Sequence, residues 1–245
     1  ERRVALMPLW MRRTPRVQGV RVAALVDGAR LSLRIRWEDP SPDRSTFGQT
    51  EFRDAVAVQV SADPEPPLFA MGGAEGPGKG GAVSLWMWKA DRQADAGGKA
   101  DLEDRFPDMA ADGWPAKQDA KEGTLVHGLP LGAHDPLYLS GRAAGNPVSD
   151  LSGATAAESL YARGAGTVGF REGGAVVESR GEWKDGTWTV VLRRTLADAG
   201  EGAVALPAGG RASIAFALWN GSDGDRNGVK SATIWHELVL GEGGR

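Results

Sequence analysis

The sequence predicts an all-β protein, an antiparallel β-sandwich with long end loops and a few short helices. Short apolar or alternating segments recur along the chain, and residues that favour turns separate them. Glycine contributes 35 of the 245 residues, about twice its usual share of roughly 7%, which favours turns over long helices. Sandwiches of this length often form one domain, so we predict a single domain over residues 1–245.

Nine segments carry the strand prediction. The clearest is residues 29–37, where four large apolar side chains alternate with polar ones, as in a half-buried strand. Residues 52–60 contain a run of Ala and Val, which predicts burial on both faces of the sheet. Asp27-Gly28 and residues 184–187 are typical hairpin turns. The other predicted strands are residues 17–26, 82–88, 166–170, 176–183, 188–194, 212–219 and 231–240.

The middle of the chain lacks this periodicity. Residues 89–136 are rich in Lys, Asp, Ala, Gly and Pro, which predicts a long loop insertion. A loop of that length inside a domain is usually functional or part of an interface, so it is a candidate docking surface. Loop character continues over residues 137–165, with a short helix predicted near residues 156–162.

Composition excludes several classes of function. The net charge is −3, so no general nucleic-acid or anionic-membrane footprint is expected. The chain contains no cysteine, which excludes disulfides, thiolate metal sites and covalent haem attachment through Cys-x-x-Cys-His. No apolar run is long enough for a transmembrane helix. The chain starts with Glu-Arg-Arg, without an initiator Met or an apolar leader segment, so we expect a trimmed N-terminus.

Local motifs give little chemistry. Residues 223–228 match the start of an EF-hand calcium loop, but Ile234 occupies the position that needs a bidentate Glu, so an Asx-rich turn is preferred. His127, His134 and His236 lack metal-ligand spacing. Nucleophile-elbow and phosphate-loop motifs are absent. The nine tryptophans predict a large core, and an aromatic slot among them would suit a flat cofactor or a sugar ring.

Several blocks, in the same order along the chain, carry a resemblance that no single motif gives. The chain resembles the haem-binding gamma subunits of ethylbenzene dehydrogenase-type molybdenum enzymes, whose relatives serve dimethylsulfide dehydrogenase, chlorate reductase and selenate reductase. The resemblance extends from about residue 17 to residue 240. The blocks that carry it are residues 69–73, 83–91, 144–146, 158–169, 186–194, 216–220 and 225–231.

The resemblance implies a β-sandwich that holds one non-covalent haem b between a methionine and a lysine. The family's methionine falls on Met71 and its lysine on Lys230. Met87 stands where relatives often have His, in a block expected to line the pocket. The three histidines remain substitute ligands for Lys230. Further cofactor contacts are expected from aromatic and amide side chains of the matching blocks, namely Trp86, Trp88, Trp219 and Asn220.

A lysine ligand has a cost that the protein must offset. Lys230 can bind iron only as the neutral amine, and removing its proton at pH 7 from a free pKa near 10.4 costs about 4.6 kcal/mol. Burial in an apolar pocket lowers that cost because it destabilises the ammonium form. Two axial ligands leave no open coordination position, so the haem would carry electrons without activating a substrate.

We therefore expect an electron-transfer subunit that is not an enzyme by itself. The resemblance implies a periplasmic heterotrimer with a molybdopterin catalytic subunit and an iron–sulfur subunit, and a soluble carrier such as a c-type cytochrome. A carbohydrate-binding β-sandwich without haem is the alternative, since exposed tryptophans often bind sugars. A structural or adaptor domain without ligand is a third hypothesis. The colour of a concentrated sample separates the first hypothesis from the other two.

Overall fold

A computed structural model gives the architecture of the chain. It describes residues 1–8, 14–63, 66, 83–95, 156–163, 167–171, 173, 175–200, 202–206 and 208–241, together with two short strands at Leu125–Val126 and Leu129–Pro130. Most of the described residues belong to antiparallel β-sheets. The α-helix of the described part is α1, Ala90–Asp95, and a 3₁₀ turn covers Gly221–Asp223.

The strands fall into two large sheets and one hairpin. Five strands form sheet A, in the order β1, β3, β4, β12, β11, and eight strands form sheet B, in which β10, β9, β6, β5, β13, β14 and β2 follow one another and β15 also pairs with β13. The strands are β1 Arg2–Ala5, β2 Met7–Pro8, β3 Gly19–Asp27, β4 Arg30–Glu38, β5 Ala55–Ser61, β6 Val83–Lys89, β7 Leu125–Val126, β8 Leu129–Pro130, β9 Ala157–Ala162, β10 Gly169–Phe170, β11 Glu178–Lys184, β12 Thr187–Thr195, β13 Arg211–Trp219, β14 Ser231–Ala232 and β15 His236–Val239.

The main core lies between the inner faces of sheets A and B. Strand β4 buries Leu31, Leu33, Ile35 and Trp37 on its inner face, in the predicted alternation. The Trp37 ring stacks on that of Trp188 with 6.0 Å between centroids, and both rings meet Trp88 edge-on. Aromatic pairs in these geometries add to the apolar area that they bury. The predicted all-β sandwich is therefore confirmed.

Strand β5 is buried along its whole length, as its Ala and Val run predicts. Its valines, Val56, Val58 and Val60, belong to the core between the sheets. The alternating small residues Ala55 and Ala57 lie on the opposite face of sheet B. Burial on that second face has a different cause, because those residues line a cavity.

The two predicted hairpin turns are present. Strands β3 and β4 pair from Asp27↔Arg30 onward, with Gly28 at φ 56°. Strands β11 and β12 pair from Lys184↔Thr187, with Asp185 at φ 50° and Gly186 at φ 75°. Left-handed backbone at these positions favours Asp-Gly pairs, so the local sequence sets the register of both hairpins.

One local prediction is wrong. The short helix expected near residues 156–162 is strand β9, which pairs with β6 from Trp88↔Ala157 to Val83↔Ala162. Its Ala, Glu and Leu residues favour a helix in isolation, but an available edge of β6 gives the segment a full ladder of backbone hydrogen bonds. The strand assignment places Glu158 beside Met87, a contact that a helix would not make.

The predicted loop of residues 89–136 begins with regular structure. Lys89 ends β6, α1 follows it directly, and β7 pairs with β8 as a small hairpin. Residues Glu1–Ala94 with Thr155–Arg245 form one compact unit, and Asp95–Ala154 form another. The prediction of a single domain over residues 1–245 stays a prediction. No helix in the described part of the chain is long and apolar enough to cross a membrane.

Candidate cofactor-binding site

A cavity of about 630 Å³ lies on the outer face of sheet B, away from the core. Its floor consists of side chains from four adjacent strands, β13, β5, β6 and β9, and its wall includes the loop that leads to Lys230. A volume of this size is in the range of pockets that bind cofactors and other small molecules. The cavity is therefore the candidate functional site of the described chain.

The floor is low in the middle because its central side chains are small. Cross-strand pairing places Ala217 beside Ala57, and Ala57 beside Met87. On the next strand, Ala232 pairs with Ala217 and also lines the cavity. Larger residues at these positions would fill the space above the sheet. The alanines thus leave a broad, flat volume over an apolar surface, which suits a planar ligand.

The two ends of the floor differ in chemistry. One end carries apolar side chains, from Leu85 and Leu160 on the sheet to Phe170 at the rim. The other end carries charged groups, among them Arg53 and Lys89. A ligand that has both an apolar edge and a charged edge would therefore bind in one direction.

Lys230 reaches the cavity through a tightly bonded loop. Arg226 and Val229 exchange both backbone hydrogen bonds, at 3.0 and 2.8 Å, so the chain reverses directly before the lysine. The indole N–H of Trp219 donates to the backbone carbonyl of Asn227 at 3.0 Å, which fixes the turn against β13. Asn227 adopts φ 52°, a conformation that Asn tolerates better than most residues. Lys230 then enters directly before β14.

The Lys230 ammonium group lies over an aromatic ring and has no acidic partner in the described chain. Its Nζ is 4.8 Å from the centroid of Trp219, and the residue is 7% exposed. Among the described residues, no carboxylate forms a salt bridge with it. Burial lowers the pKa of Lys230 from 10.5 to about 8, because the charged form loses its hydration. The Lys230 amine therefore gives up its proton at a lower free-energy cost than an exposed lysine does.

Lys89, at the charged end, differs from Lys230 because it has a carboxylate partner. Its Nζ donates to both carboxylate oxygens of Glu158, at 2.8 and 2.7 Å, and Arg92 lies 3.5 Å from the same carboxylate. Both members of the Lys89–Glu158 pair are less than a tenth exposed. The pair thus holds β6 and β9 together at the cavity wall, and Lys89 is not available as a free amine.

Glu158→Gln is expected to lower the free energy of unfolding by about 3 kcal/mol, because it leaves the buried Lys89 ammonium without its carboxylate. Chemical denaturation of the ligand-free protein measures this change. Glu237→Gln is the matched control, since Glu237 is 57% exposed in its pair with Arg211. This change is expected to lower the free energy of unfolding by less than about 0.5 kcal/mol. Equal stability of the Glu158 variant and the wild type would contradict the buried pair.

The structure places the predicted site residues in different environments. Lys230 and Trp219 both line the cavity. Trp86 and Trp88 lie on the opposite face of sheet B, fully buried in the core, and do not line it. Asn220 is buried but outside the lining: its backbone amide donates to Asp225, and its side-chain oxygen accepts from the Asp223 amide to cap the 3₁₀ turn.

Other candidates stay predictions. Met71, His127 and His134 lie outside the described residues. His236 belongs to β15 and does not line the cavity. In the turn of residues 223–228, for which an Asx-rich turn was preferred over a calcium loop, Asp225 accepts a hydrogen bond from the backbone amide of Asn220. The described residues contain no acidic or histidine cluster that could hold a metal ion.

Several lining residues were not predicted from the sequence. The alanines of the floor and the Lys89–Glu158 pair belong to this group. A signal for the alanines was present in β5 and β13, where small residues alternate with large apolar ones. When small and large residues alternate on a strand that is buried on both faces, the pattern indicates that one face contacts a bound ligand and not the protein core. The ion pair had no sequence signal, because its partners are 69 residues apart.

Comparison with known families identifies the class of protein to which this cavity belongs. A family model described as ethylbenzene dehydrogenase matches residues 5–231, from the first strand to the start of β14. The chain belongs to the ethylbenzene dehydrogenase family. The resemblance seen in the sequence is thereby confirmed, and the match includes the cavity floor and Lys230.

Two curated relatives of this family member were found. A protein of Haloferax mediterranei, provisionally named a respiratory nitrate reductase heme subunit, is 26% identical over 229 residues, which cover 93% of this chain and 58% of that protein. The dimethylsulfide dehydrogenase subunit gamma of Rhodovulum sulfidophilum is 28% identical over 206 residues, which cover 84% of this chain and 54% of that subunit. The chain thus spans little more than half the length of these relatives.

Proposed function

We propose that this ethylbenzene dehydrogenase family chain is an electron-transfer subunit that binds one non-covalent haem b in the cavity on sheet B. In this proposal Lys230 is one axial ligand of the iron and Met71 is the other. The observation that carries the proposal is the position of Lys230, whose buried amine lies at the wall of a cofactor-sized cavity without a carboxylate partner in the described chain.

The cavity fits the group in shape and chemistry. Its volume of about 630 Å³ and its flat alanine floor suit a planar macrocycle. In the absence of cysteine, a haem must be held by burial and axial bonds alone. Met87, whose side chain also faces the cavity, offers a second soft thioether near the floor. Met71 and Met87 can therefore be compared directly by substitution.

The environment of Lys230 reduces the cost of ligation. With a pKa of about 8, removing the proton at pH 7 costs about 1.4 kcal/mol, against about 4.6 kcal/mol for a free lysine. Desolvation thus supplies most of the deprotonation energy before any iron bond forms. The Trp219 ring stabilises the remaining ammonium form by roughly 1 kcal/mol, a smaller effect than the desolvation.

Haem bound through two protein ligands would supply one-electron transfer and leave no position for a substrate. The chain would then act as a non-catalytic relay. The names of the two relatives, a heme subunit of a nitrate reductase and a gamma subunit of a dehydrogenase, support membership of an oxidoreductase complex. Within that complex we propose a molybdopterin catalytic subunit and an iron–sulfur subunit as partners, a soluble c-type cytochrome as external carrier, and a periplasmic location.

The carbohydrate-binding alternative gains no support from the tryptophans. Sugar recognition by aromatic stacking needs accessible ring faces, whereas Trp86, Trp88 and Trp188 are at most 1% exposed. Trp219 is 8% exposed and covered by the Lys230 ammonium. These rings are part of the core or of the cavity wall, so an open sugar platform is not present among them.

The proposal is tested by titrating the purified ligand-free protein with hemin and recording optical and paramagnetic resonance spectra. We expect one equivalent to bind with the spectrum of a six-coordinate haem b. Met71→Ala should change the ligation bands, whereas Met87→Ala should leave them unchanged. No binding of hemin by folded wild-type protein would overturn the haem proposal. Changed bands only in the Met87 variant would move the second ligand to Met87.

Ala57→Leu is expected to lower the affinity for hemin by at least about tenfold, because the added side chain fills the centre of the flat floor. The fold should persist, since the new atoms enter a cavity and not the packed core. Ala23→Leu, on the outer face of sheet A, is the matched control and should bind hemin normally. Unchanged affinity of the Ala57 variant would place the ligand elsewhere.

A further inference from the structure

We infer that the charged end of the cavity is a carboxylate-binding subsite, in which Arg53 and Arg226 bind the two acidic side chains of a dicarboxylate tetrapyrrole. This inference rests on the proposed haem function and deepens it by assigning the orientation of the ligand. It concerns residues of this chain that no sequence motif identified.

Arg53 and Arg226 belong to the same charged end of the cavity. Arg53 follows Phe52 directly, and the Arg226 guanidinium lies 4.6 Å from the centroid of the Phe52 ring. All three residues line the cavity. The cation–π contact holds the Arg226 guanidinium close to the Phe52 ring at the cavity wall.

Both guanidinium groups keep N–H donors that no described residue uses. Arg226 Nη1 donates to the backbone carbonyl of Gly224 at 2.8 Å, and Arg53 Nη1 donates to Asp91 at 2.7 Å. A guanidinium has five N–H donors in a planar fork that matches a carboxylate. The Arg53 side chain is 34% exposed and Arg226 is exposed, so an anionic group can reach either one without full desolvation.

The described charges at this end leave a positive surplus. Four cationic side chains face three acidic ones, even when Lys230 is counted as neutral. The cations are Arg53, Lys89, Arg92 and Arg226, and the acids are Asp91, Glu158 and Asp225. Arg226 forms no salt bridge with a described carboxylate. A ligand with two carboxylates would therefore meet net attraction at this end.

Lys89 is not the anchor, because both carboxylate oxygens of Glu158 already hold its ammonium. The opposite end of the cavity offers no cation among its described lining residues, where Val168, Phe170 and Leu160 present apolar surface. A tetrapyrrole with its acidic edge at the arginines would place its apolar edge there. The difference between the two ends thus determines which edge of the flat ligand lies at the arginines.

The test compares iron protoporphyrin IX with its dimethyl ester, which has the same ring and iron but no carboxylates. Wild-type protein is expected to bind the diacid at least about tenfold more tightly than the diester. Arg53→Gln and Arg226→Gln should each weaken diacid binding several-fold, and the double variant should lose the preference. Diester binding should stay constant in all of them. Added salt should weaken diacid binding alone.

Arg211→Gln is the matched control, because Arg211 is 72% exposed, pairs with Glu237 and does not line the cavity. Equal binding of diacid and diester by wild type would overturn the carboxylate subsite and leave the haem proposal standing. Equal weakening of both porphyrins in the arginine variants would also overturn it, since that pattern indicates a structural role. Failure of folded wild type to bind either porphyrin would overturn both proposals.

Discussion

Lys230→Leu is expected to weaken the binding of hemin by at least about 100-fold while stabilising the ligand-free protein. Removing a group that only orients a metal ligand costs 10- to 100-fold in metal affinity, so removing the ligand itself should cost at least as much. The stabilisation arises because the buried ammonium is replaced by an apolar side chain that has no donor atom for iron. Opposite effects on binding and stability indicate a residue retained for its chemistry.

The size of the stabilisation follows from the pKa of Lys230. Its lowering from 10.5 to about 8 corresponds to about 3 kcal/mol against the charged form. The cation–π contact with Trp219 offsets roughly 1 kcal/mol of this. We therefore expect the free energy of unfolding of the leucine variant to be about 2 kcal/mol higher than that of the wild type at pH 7. Chemical denaturation of the ligand-free proteins measures the difference.

The pH dependence of the same pair of proteins has a definite sign. Below about pH 8 both the folded and the unfolded wild type carry the Lys230 proton, and its burial destabilises the fold. Between about pH 8 and 10.5 the folded protein loses this proton before the unfolded chain does, so the wild type gains stability as pH rises. The difference in stability between the leucine variant and the wild type should therefore shrink over this interval.

Two controls make the result specific. Lys184→Leu changes an exposed lysine in a hairpin and should alter neither hemin binding nor the pH dependence. Protoporphyrin without iron should bind wild type and Lys230→Leu equally, because it has no metal to ligate. A Lys230 variant that binds hemin as tightly as wild type with an unchanged spectrum would exclude Lys230 as a ligand.

Asp54→Ala is expected to cost about 4 kcal/mol in the free energy of unfolding and to weaken hemin binding as a consequence. The Asp54 carboxylate accepts three hydrogen bonds in a fully buried position: from the Trp188 indole at 2.9 Å, from the Asp43 amide at 2.8 Å and from the Gly221 amide at 3.0 Å. Truncation leaves three buried donors unpaired, each at a cost of roughly 1–3 kcal/mol.

The functional effect follows from what those bonds connect. The Gly221 amide begins the segment that leads through the 3₁₀ turn to Lys230. Gly221 is packed so closely that an added Cβ would overlap the Phe52 carbonyl oxygen, so the loop packs tightly against the residues directly before β5. Without Asp54 the position of this loop is no longer fixed, and the amine of Lys230 loses its placement.

Asp54→Asn should cost less, about 2 kcal/mol, because the amide oxygen can still accept from two of the three donors. Asp27→Asn is the control, since the Asp27 side chain is 75% exposed and its change should matter little. Full retention of stability in Asp54→Ala would contradict the buried hydrogen bonds. Hemin affinity measured on the same samples separates loss of fold from loss of loop placement.

Asp54 also makes the free energy of unfolding depend on pH. Desolvation raises its pKa from 3.8 to about 7 and outweighs the hydrogen bonds that favour the charged form. The folded protein then binds this proton more tightly than the unfolded chain between about pH 4 and pH 7. Stability from this group therefore falls as pH rises through that interval. The Asn variant, which cannot titrate, should lack this fall.

Local sequence rules predicted the elements that depend on neighbouring residues. The alternation in β4 and the Asp-Gly turns identified two hairpins with nearly correct bounds, because side-chain period and turn conformation are local properties. Strands β1 and β2 were not predicted. Both are short, and they form strands by pairing with β3 and β14. A local sequence pattern does not predict such pairing.

The sequence by itself determined the all-β class and the family, since these depend on periodicity and on ordered blocks of residues, and it gave Lys230 as a predicted ligand. Only the tertiary structure decided what surrounds that lysine. Tertiary packing buries Trp86 and Trp88 in the core, and pairing with β6 makes residues 157–162 strand β9. It also brings the alanine floor, Arg53 and Arg226 around one cavity. The physical reason is that burial, desolvation and charge balance arise between residues distant in sequence, and strand pairing across sheet B brings them together.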